Sequence, residues 1–218
     1  MILLTLSLVL GVAGAQRLRV TRVPRFVVDS LHRTASLLAV TFLLVHILTA
    51  VLDSYASISL TDAIIPFVGS YRPLWLGLGA TAFDLLIAIT ITSLARLSLG
   101  LRVWRAVHWL AYACWPIALV HALGTGTDVP STWMLAIGGA CLLAVLGAVG
   151  ARAFAERQRH PRSARAAVAT AIGFTVALAL WLPGGPLGPQ WARRSGTPAP
   201  LLHSAAGRLA ADHAVEPA

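Results

Sequence analysis

At 218 residues, with 57% hydrophobic and only 11% charged residues, the chain is too apolar for an ordinary soluble domain, and its mean hydropathy of +0.78 reads as a membrane protein. The net charge of +9 does not mark a nucleic-acid binder, which needs a basic face on a soluble fold; these arginines fall in short gaps between apolar runs. The two cysteines, Cys114 and Cys141, both sit inside apolar runs, so they imply no disulfide framework and read as small hydrophobes.

A spanning helix needs about 20 mostly apolar residues, because the hydrocarbon core is about 30 Å thick and each residue rises about 1.5 Å. Five segments approach or meet this: 31–52, 74–94, 104–123, 133–150 and 166–182. The opening run, 2–15, is short for a span. It offers small residues for cleavage at VAGAQ but lacks the basic residue that a signal peptide carries ahead of its apolar region, so it is read as a first helix starting at or upstream of Met1. The expected fold is therefore an all-α, multi-pass transmembrane bundle of about six helices over 1–183. From Pro183 the sequence runs PGGPLGPQWARRSGTPAP, a Pro/Gly-rich stretch without period, and residues 184–218 read as a flexible tail.

Arginine placement gives orientation, since loops rich in basic residues stay on the cytoplasmic side. Arg17, Arg19, Arg22 and Arg25 lie between the first two spans, Arg96, Arg102 and Arg105 between the third and fourth, and Arg152, Arg157, Arg159, Arg162 and Arg165 between the fifth and sixth. The alternate gaps, 53–73 and 124–132, hold Asp53, Asp62 and Asp128 against only Arg72. The expected location is a bacterial plasma membrane with both termini outside.

Spans two and four then run parallel, and each carries two histidines. His32 and His46 are fourteen residues apart, about 21 Å of helix and close to one face. His108 and His121 are thirteen apart, about 20 Å, so the heights match. The thirteen-residue spacing turns its two rings away from a common face on an ideal helix, and Pro116, which removes a helix hydrogen bond, is the expected place of adjustment. Histidine inside lipid must find a partner and is a functional hypothesis by default. Two facing helices that each offer one imidazole at two heights can ligate two haems from opposite sides, His32 with His108 at the inner level and His46 with His121 at the outer. With both axial positions filled by protein, the fitting role is electron transfer. Simple interhelical hydrogen bonding explains any one of these histidines but poorly explains all four. A zinc or similar site fits less well, because tetrahedral sites gather ligands at one height.

The segments LHRTASLLAVTFLLVHILTAVLD, YRPLWLGLGATAFDLL and WRAVHWLAYACWPIALVHALGTGTD resemble the ferric reductase-like transmembrane domain family. Its wider relatives include ferric-chelate reductases, NADPH oxidases and the haem-binding membrane subunit of the bacterial methionine sulfoxide reductase system. The resemblance covers roughly 31–128, and its specific part is the fourteen- and thirteen-residue histidine spacing. It implies a haem-binding four-helix core with two b-type haems on His32, His46, His108 and His121, passing electrons from a cytoplasmic flavin or quinol donor to an acceptor outside. Family members that work alone append a flavin and nicotinamide module with Gly-rich phosphate turns. None is present in this sequence, so FAD or FMN is expected only on a separate partner, alongside membrane lipid and an extracytoplasmic redox partner. Two rivals stand beside this reading: the membrane anchor subunit of a larger oxidoreductase, and a haem-free metal transporter or structural membrane protein.

Other residues carry weaker signals. Arg33 and Arg105 flank the inner histidines and could pair with haem propionates, or merely set topology. Arg72 could meet an outer propionate, an anionic acceptor or a lipid headgroup. Asp84, a carboxyl mid-span, is costly without a partner; a hydrogen bond to a neighbouring helix is preferred over a proton-linked role. Trp104, Trp109, Trp115 and Trp133 are read as interface belting and packing. Ala136, Ala140, Ala144 and Ala148 form a small-residue stripe suited to close helix packing, internal or with a partner. His160, His203 and His213 read as solvated.

Overall fold

The computed structural model describes residues 1–15 and 24–202; His203 and His213, expected to be solvated, lie outside them. Among the described residues the chain forms helices and no strand: α1 (Ile2–Ala15), α2 (Arg25–Leu52), α3 (Leu60–Ile64), α4 (Pro73–Leu94), α5 (Arg96–His108), α6 (Ala111–Thr125), α7 (Thr132–Glu156), α8 (Pro161–Gly184) and α9 (Trp191–Arg194). Their starts follow local chemistry. Pro73 and Pro161 open α4 and α8, where a missing N–H costs nothing. Ser59 and Asp62 form a reciprocal capping box at α3, satisfying backbone donors that would otherwise be orphaned.

Four helices, α2, α4, α7 and α8, are long and apolar enough to cross a membrane, and α5 with α6 makes a fifth if that bent pair is one span. Their outward faces carry large apolar side chains: Phe42 is 63% exposed, Leu143 70% and Leu180 77%. Water would penalise such a surface heavily, whereas lipid does not. α1, at 14 residues, is shorter. It packs along α2 and α7, and the buried indole N–H of Trp115 on α6 donates to the Thr5 hydroxyl at 2.8 Å.

The interior forms two clusters. Trp115, Leu119, Cys141, Val145 and Leu178 join α6, α7 and α8, with Leu4 and Leu8 of α1 against them. Ala82, Ile89 and Cys114 join α4 to α6. The face of α7 that packs inward carries Cys141 and Val145; Ala136, Ala140 and Ala144 of the small-residue stripe are exposed, and only Ala148 is half-buried.

The span expected at 104–123 is not one straight helix. It breaks between α5 and α6 with a 45° bend. The break lies at Trp109 and Leu110, whose dihedrals near (−63°, −22°) and (−63°, −15°) are those of a 3₁₀ turn. The backbone bonds there tighten to match, Leu110 N–H to Val107 O, Tyr112 N–H to Trp109 O and Ala113 N–H to Leu110 O. Pro116, the expected site of the irregularity, sits inside α6 without ending it. The adjustment comes immediately after His108 instead, reorienting that ring relative to His121.

The region after Leu182 also differs from the flexible tail expected there. Over the described residues 185–202 it folds back onto the bundle. Trp191 lies tilted against Trp75 with centroids 5.1 Å apart, Trp75 itself stacks at 5.1 Å on Trp181, and the Trp191 indole donates to Gly124 O at 3.1 Å. Three aromatic rings and a buried arginine supply the burial that its Pro/Gly-rich composition concealed.

Candidate cofactor site

Fourteen residues along α2 place His32 and His46 on one side of that helix. The His32 ring faces His108, the last residue of α5, with centroids 6.2 Å apart and planes 76° apart. At the other end His121, half-buried on α6, lies within electrostatic reach of His46. The structure thus sets the His32 ring against that of His108 and leaves His46 and His121 without a ring contact among the described residues. It does so without close helix packing: α2 packs extensively only against α1, touches α4 lightly, and makes no extended contact with α5 or α6.

Three of the four rings are held in distinct ways. His32 Nδ1 lies 2.8 Å from the Ser7 carbonyl, and His121 Nδ1 lies 2.8 Å from the Trp75 carbonyl. A carbonyl can only accept, so Nδ1 carries the proton in both and Nε2 is left with a free lone pair, the state a metal-binding imidazole needs. His108 stacks on Trp104 at 5.0 Å, and its buried Nδ1 has no partner among the described residues. His46 is exposed on α2.

The spacing of His32 and His108 fits a haem that would be held between two imidazoles. A metal–imidazole bond is about 2 Å, so two nitrogens on opposite sides of one metal stand roughly 4 Å apart and their ring centres roughly 6 Å apart. The His32–His108 pair already has that separation. Among the described residues no group of three or more His, Cys, Asp and Glu is gathered as a metal site; a haem asks the protein for only two ligands, one from each side.

The surrounding charges are placed differently from expectation in two cases. Arg33 and Arg105 are exposed beside the inner pair, with no hydrogen bond or ion pair among the described residues, and remain available to an anion. Arg72 is not available in that way. It is 3% exposed, with Nε donating to the Thr197 hydroxyl at 2.9 Å and Nη1 donating to the Gly124 and Thr125 carbonyls at 3.2 and 2.9 Å. Those carbonyls end α6, where the helix dipole favours a cation, so Arg72 is a clamp between α4, α6 and the C-terminal segment. Asp84 forms no interhelical hydrogen bond among the described residues and is exposed mid-way along α4. The packed face of α4 is that of Ala82 and Ile89, and a two-residue step of about 200° turns Asp84 away from it.

Sequence reasoning missed Ser7, Gly11, Trp75 and Gly79, which touch the histidines. A usable signal was present: glycine inside an apolar helix costs about 1 kcal/mol relative to alanine and usually marks a close approach. Of the four tryptophans singled out, Trp104 reaches a histidine ring, whereas the cluster of Trp75, Trp181 and Trp191 went unnoticed.

No protein-family profile matches this chain, and no curated protein or solved structure matches it either.

Proposed function

We propose that the chain is a transmembrane electron carrier with two bis-histidine b-type haems, in a bundle of about six helices whose arginine-rich end faces the cytoplasm of a bacterium and whose termini lie outside. The observation that carries this reading is the facing pair His32 and His108 at 6.2 Å, on helices that do not otherwise pack together. His32 and His108 would hold one haem, and His46 and His121 the other. When bound, the haems would supply one-electron redox chemistry at two depths in the membrane. The free Nε2 lone pairs of His32 and His121 are set by their Nδ1 hydrogen bonds. Arg33 and Arg105 offer guanidinium groups to inner propionates. A separate flavin-containing or quinol donor would deliver electrons on the cytoplasmic side, and an acceptor or redox partner would receive them outside, as the resemblance to ferric reductase-like proteins implies.

A reduced-minus-oxidised visible spectrum of the purified protein, produced with haem supplied, tests this directly. A b-type low-spin spectrum with two haems per chain is expected; absence of any b-type signal would sink the reading in favour of a haem-free membrane protein.

A further inference from the structure

His32 and His121 lie at opposite ends of the bundle, on different helices, yet each rests on the same device. Ser7 accepts from His32, and Gly11, four residues further along α1, touches the ring: a Cβ built on Gly11 would stand 3.1 Å from His32 Cε1. Trp75 accepts from His121, and Gly79, four residues further along α4, touches that ring: a Cβ there would stand 2.4 Å from His121 Cε1 and 2.5 Å from Nδ1. The spacing has a physical cause. Inside a helix the carbonyl of residue i already accepts from the N–H of residue i+4, and its second lone pair is free for another donor. An imidazole that reaches this lone pair passes beside residue i+4; at Gly79 the short distances leave no room for a Cβ, and at Gly11 a Cβ would make the His32 ring give by a few tenths of an ångström.

We propose that α1 and α4, which carry no haem ligand, each fix one axial imidazole per haem through this carbonyl-and-glycine cradle, making Gly11 and Gly79 positioning residues for His32 and His121. The inference rests on the haem reading and adds an asymmetry to it. Each pair has one ligand with its Nδ1 proton committed to a backbone carbonyl, which fixes tautomer and ring plane and raises ligand basicity. The opposite ligand lacks this bond: the Nδ1 of His108 is unpartnered, and no side-chain hydrogen bond to the exposed His46 ring occurs among the described residues. The simpler alternative, ordinary helix packing that happens to involve two histidines, gives no reason for the same i, i+4 arrangement to recur on two unrelated helices, once in each pair.

The test compares Gly79→Ala, Gly11→Ala and the control Gly138→Ala, whose new methyl would meet nothing within 4 Å, by haem content, electron paramagnetic resonance and redox titration of the purified full chain. Gly79→Ala is expected to convert the haem at the His46–His121 level to a high-spin or lost form while leaving the other haem's signature intact. Gly11→Ala, with its longer contact, is expected to shift the spectrum and midpoint potential of the His32–His108 haem alone. The control is expected to match the parent. If the parent holds two low-spin haems and both Gly79→Ala and Gly11→Ala leave them unaltered, or disturb both haems equally, the cradle assignment is overturned while the haem reading stands. If the parent holds no haem, that reading itself falls. Should Gly79→Ala fail to accumulate, Gly11→Ala decides alone.

Discussion

His32 and His108 face each other across 6.2 Å although their helices are not packed together. The edge-on arrangement, with planes 76° apart, is a favourable ring contact of about 0.5–1.5 kcal/mol, yet it leaves the buried His108 Nδ1 without a hydrogen-bond partner among the described residues. A group bound between them gives the spacing a purpose. The pairing then makes a prediction of shared loss. His32→Ala and His108→Ala should each remove the same haem, and combining them should remove no more than either alone. His46→Ala and His121→Ala should remove the other. Haem stoichiometry by the pyridine haemochrome measurement checks this, and additive losses within a pair would refute the pairing.

The Arg72 clamp gives a prediction about stability rather than chemistry. Its guanidinium is buried and holds Thr197, Gly124 and Thr125 at once; a hydrogen bond to a charged group contributes about 1.5–3 kcal/mol. Arg72→Ala should therefore lower the thermal midpoint in detergent and expose residues 185–202 to protease, with haem stoichiometry retained. Arg72→Lys should rescue little, because a lysine ammonium cannot reproduce the fork that reaches three acceptors in fixed directions. Equal protease resistance in parent and Arg72→Ala would show that the segment is held by the tryptophan stack alone.

Much of the architecture was legible in the sequence because lipid imposes a simple rule: about 20 apolar residues per span, arginines between them. The four long spans end within a few residues of their expected limits except where a helix runs on past the apolar stretch, as α7 does from Gly150 to Glu156. What could not be read depended on tertiary contacts. The break at Trp109 carries no proline or glycine, and Pro116, which does carry a breaking signal, is absorbed by packing around Cys114, Trp115 and Leu119. Arg72 read as a lone outer cation because its acceptors are two backbone carbonyls 52 and 53 residues away and a hydroxyl 125 residues away, which no local pattern announces. Of the candidate site, the approach of His32 to His108 followed from their expected common height; the helices that position His32 and His121 could not be read, since a carbonyl acceptor has no sequence signature.

A third prediction concerns α1. Trp115 is 2% exposed and its indole N–H has the Thr5 hydroxyl as acceptor at 2.8 Å. Thr5→Val keeps the shape but leaves a buried donor unpaired, which costs about 1–3 kcal/mol. The expected result is a lower thermal midpoint. Ser7 and Gly11 belong to the same helix, so weaker seating of α1 should also broaden the His32–His108 haem signal ahead of the other one. A change in stability with equal effects on both haems would separate the anchoring of α1 from the positioning of His32.

The exposed cations of the inner end give the last prediction, and its sign follows from charge. A haem iron that accepts an electron loses one unit of positive charge, so a nearby guanidinium favours the reduced form and raises the midpoint potential. Arg33 and Arg105 sit beside His32 and at three residues' distance from His108, and neither has a protein partner among the described residues that substitution would strand. Arg33→Gln and Arg105→Gln should therefore alter stability by no more than about 0.5 kcal/mol, as surface changes generally do. Each should lower the potential of the His32–His108 haem more than that of the His46–His121 haem, because the Coulomb interaction falls with distance and the second pair lies about 20 Å further along the helix. The double variant should show a larger drop than either single one. Redox titration of the purified proteins measures all three; unchanged potentials would leave the two arginines with the single task of holding that end of the bundle on the cytoplasmic side.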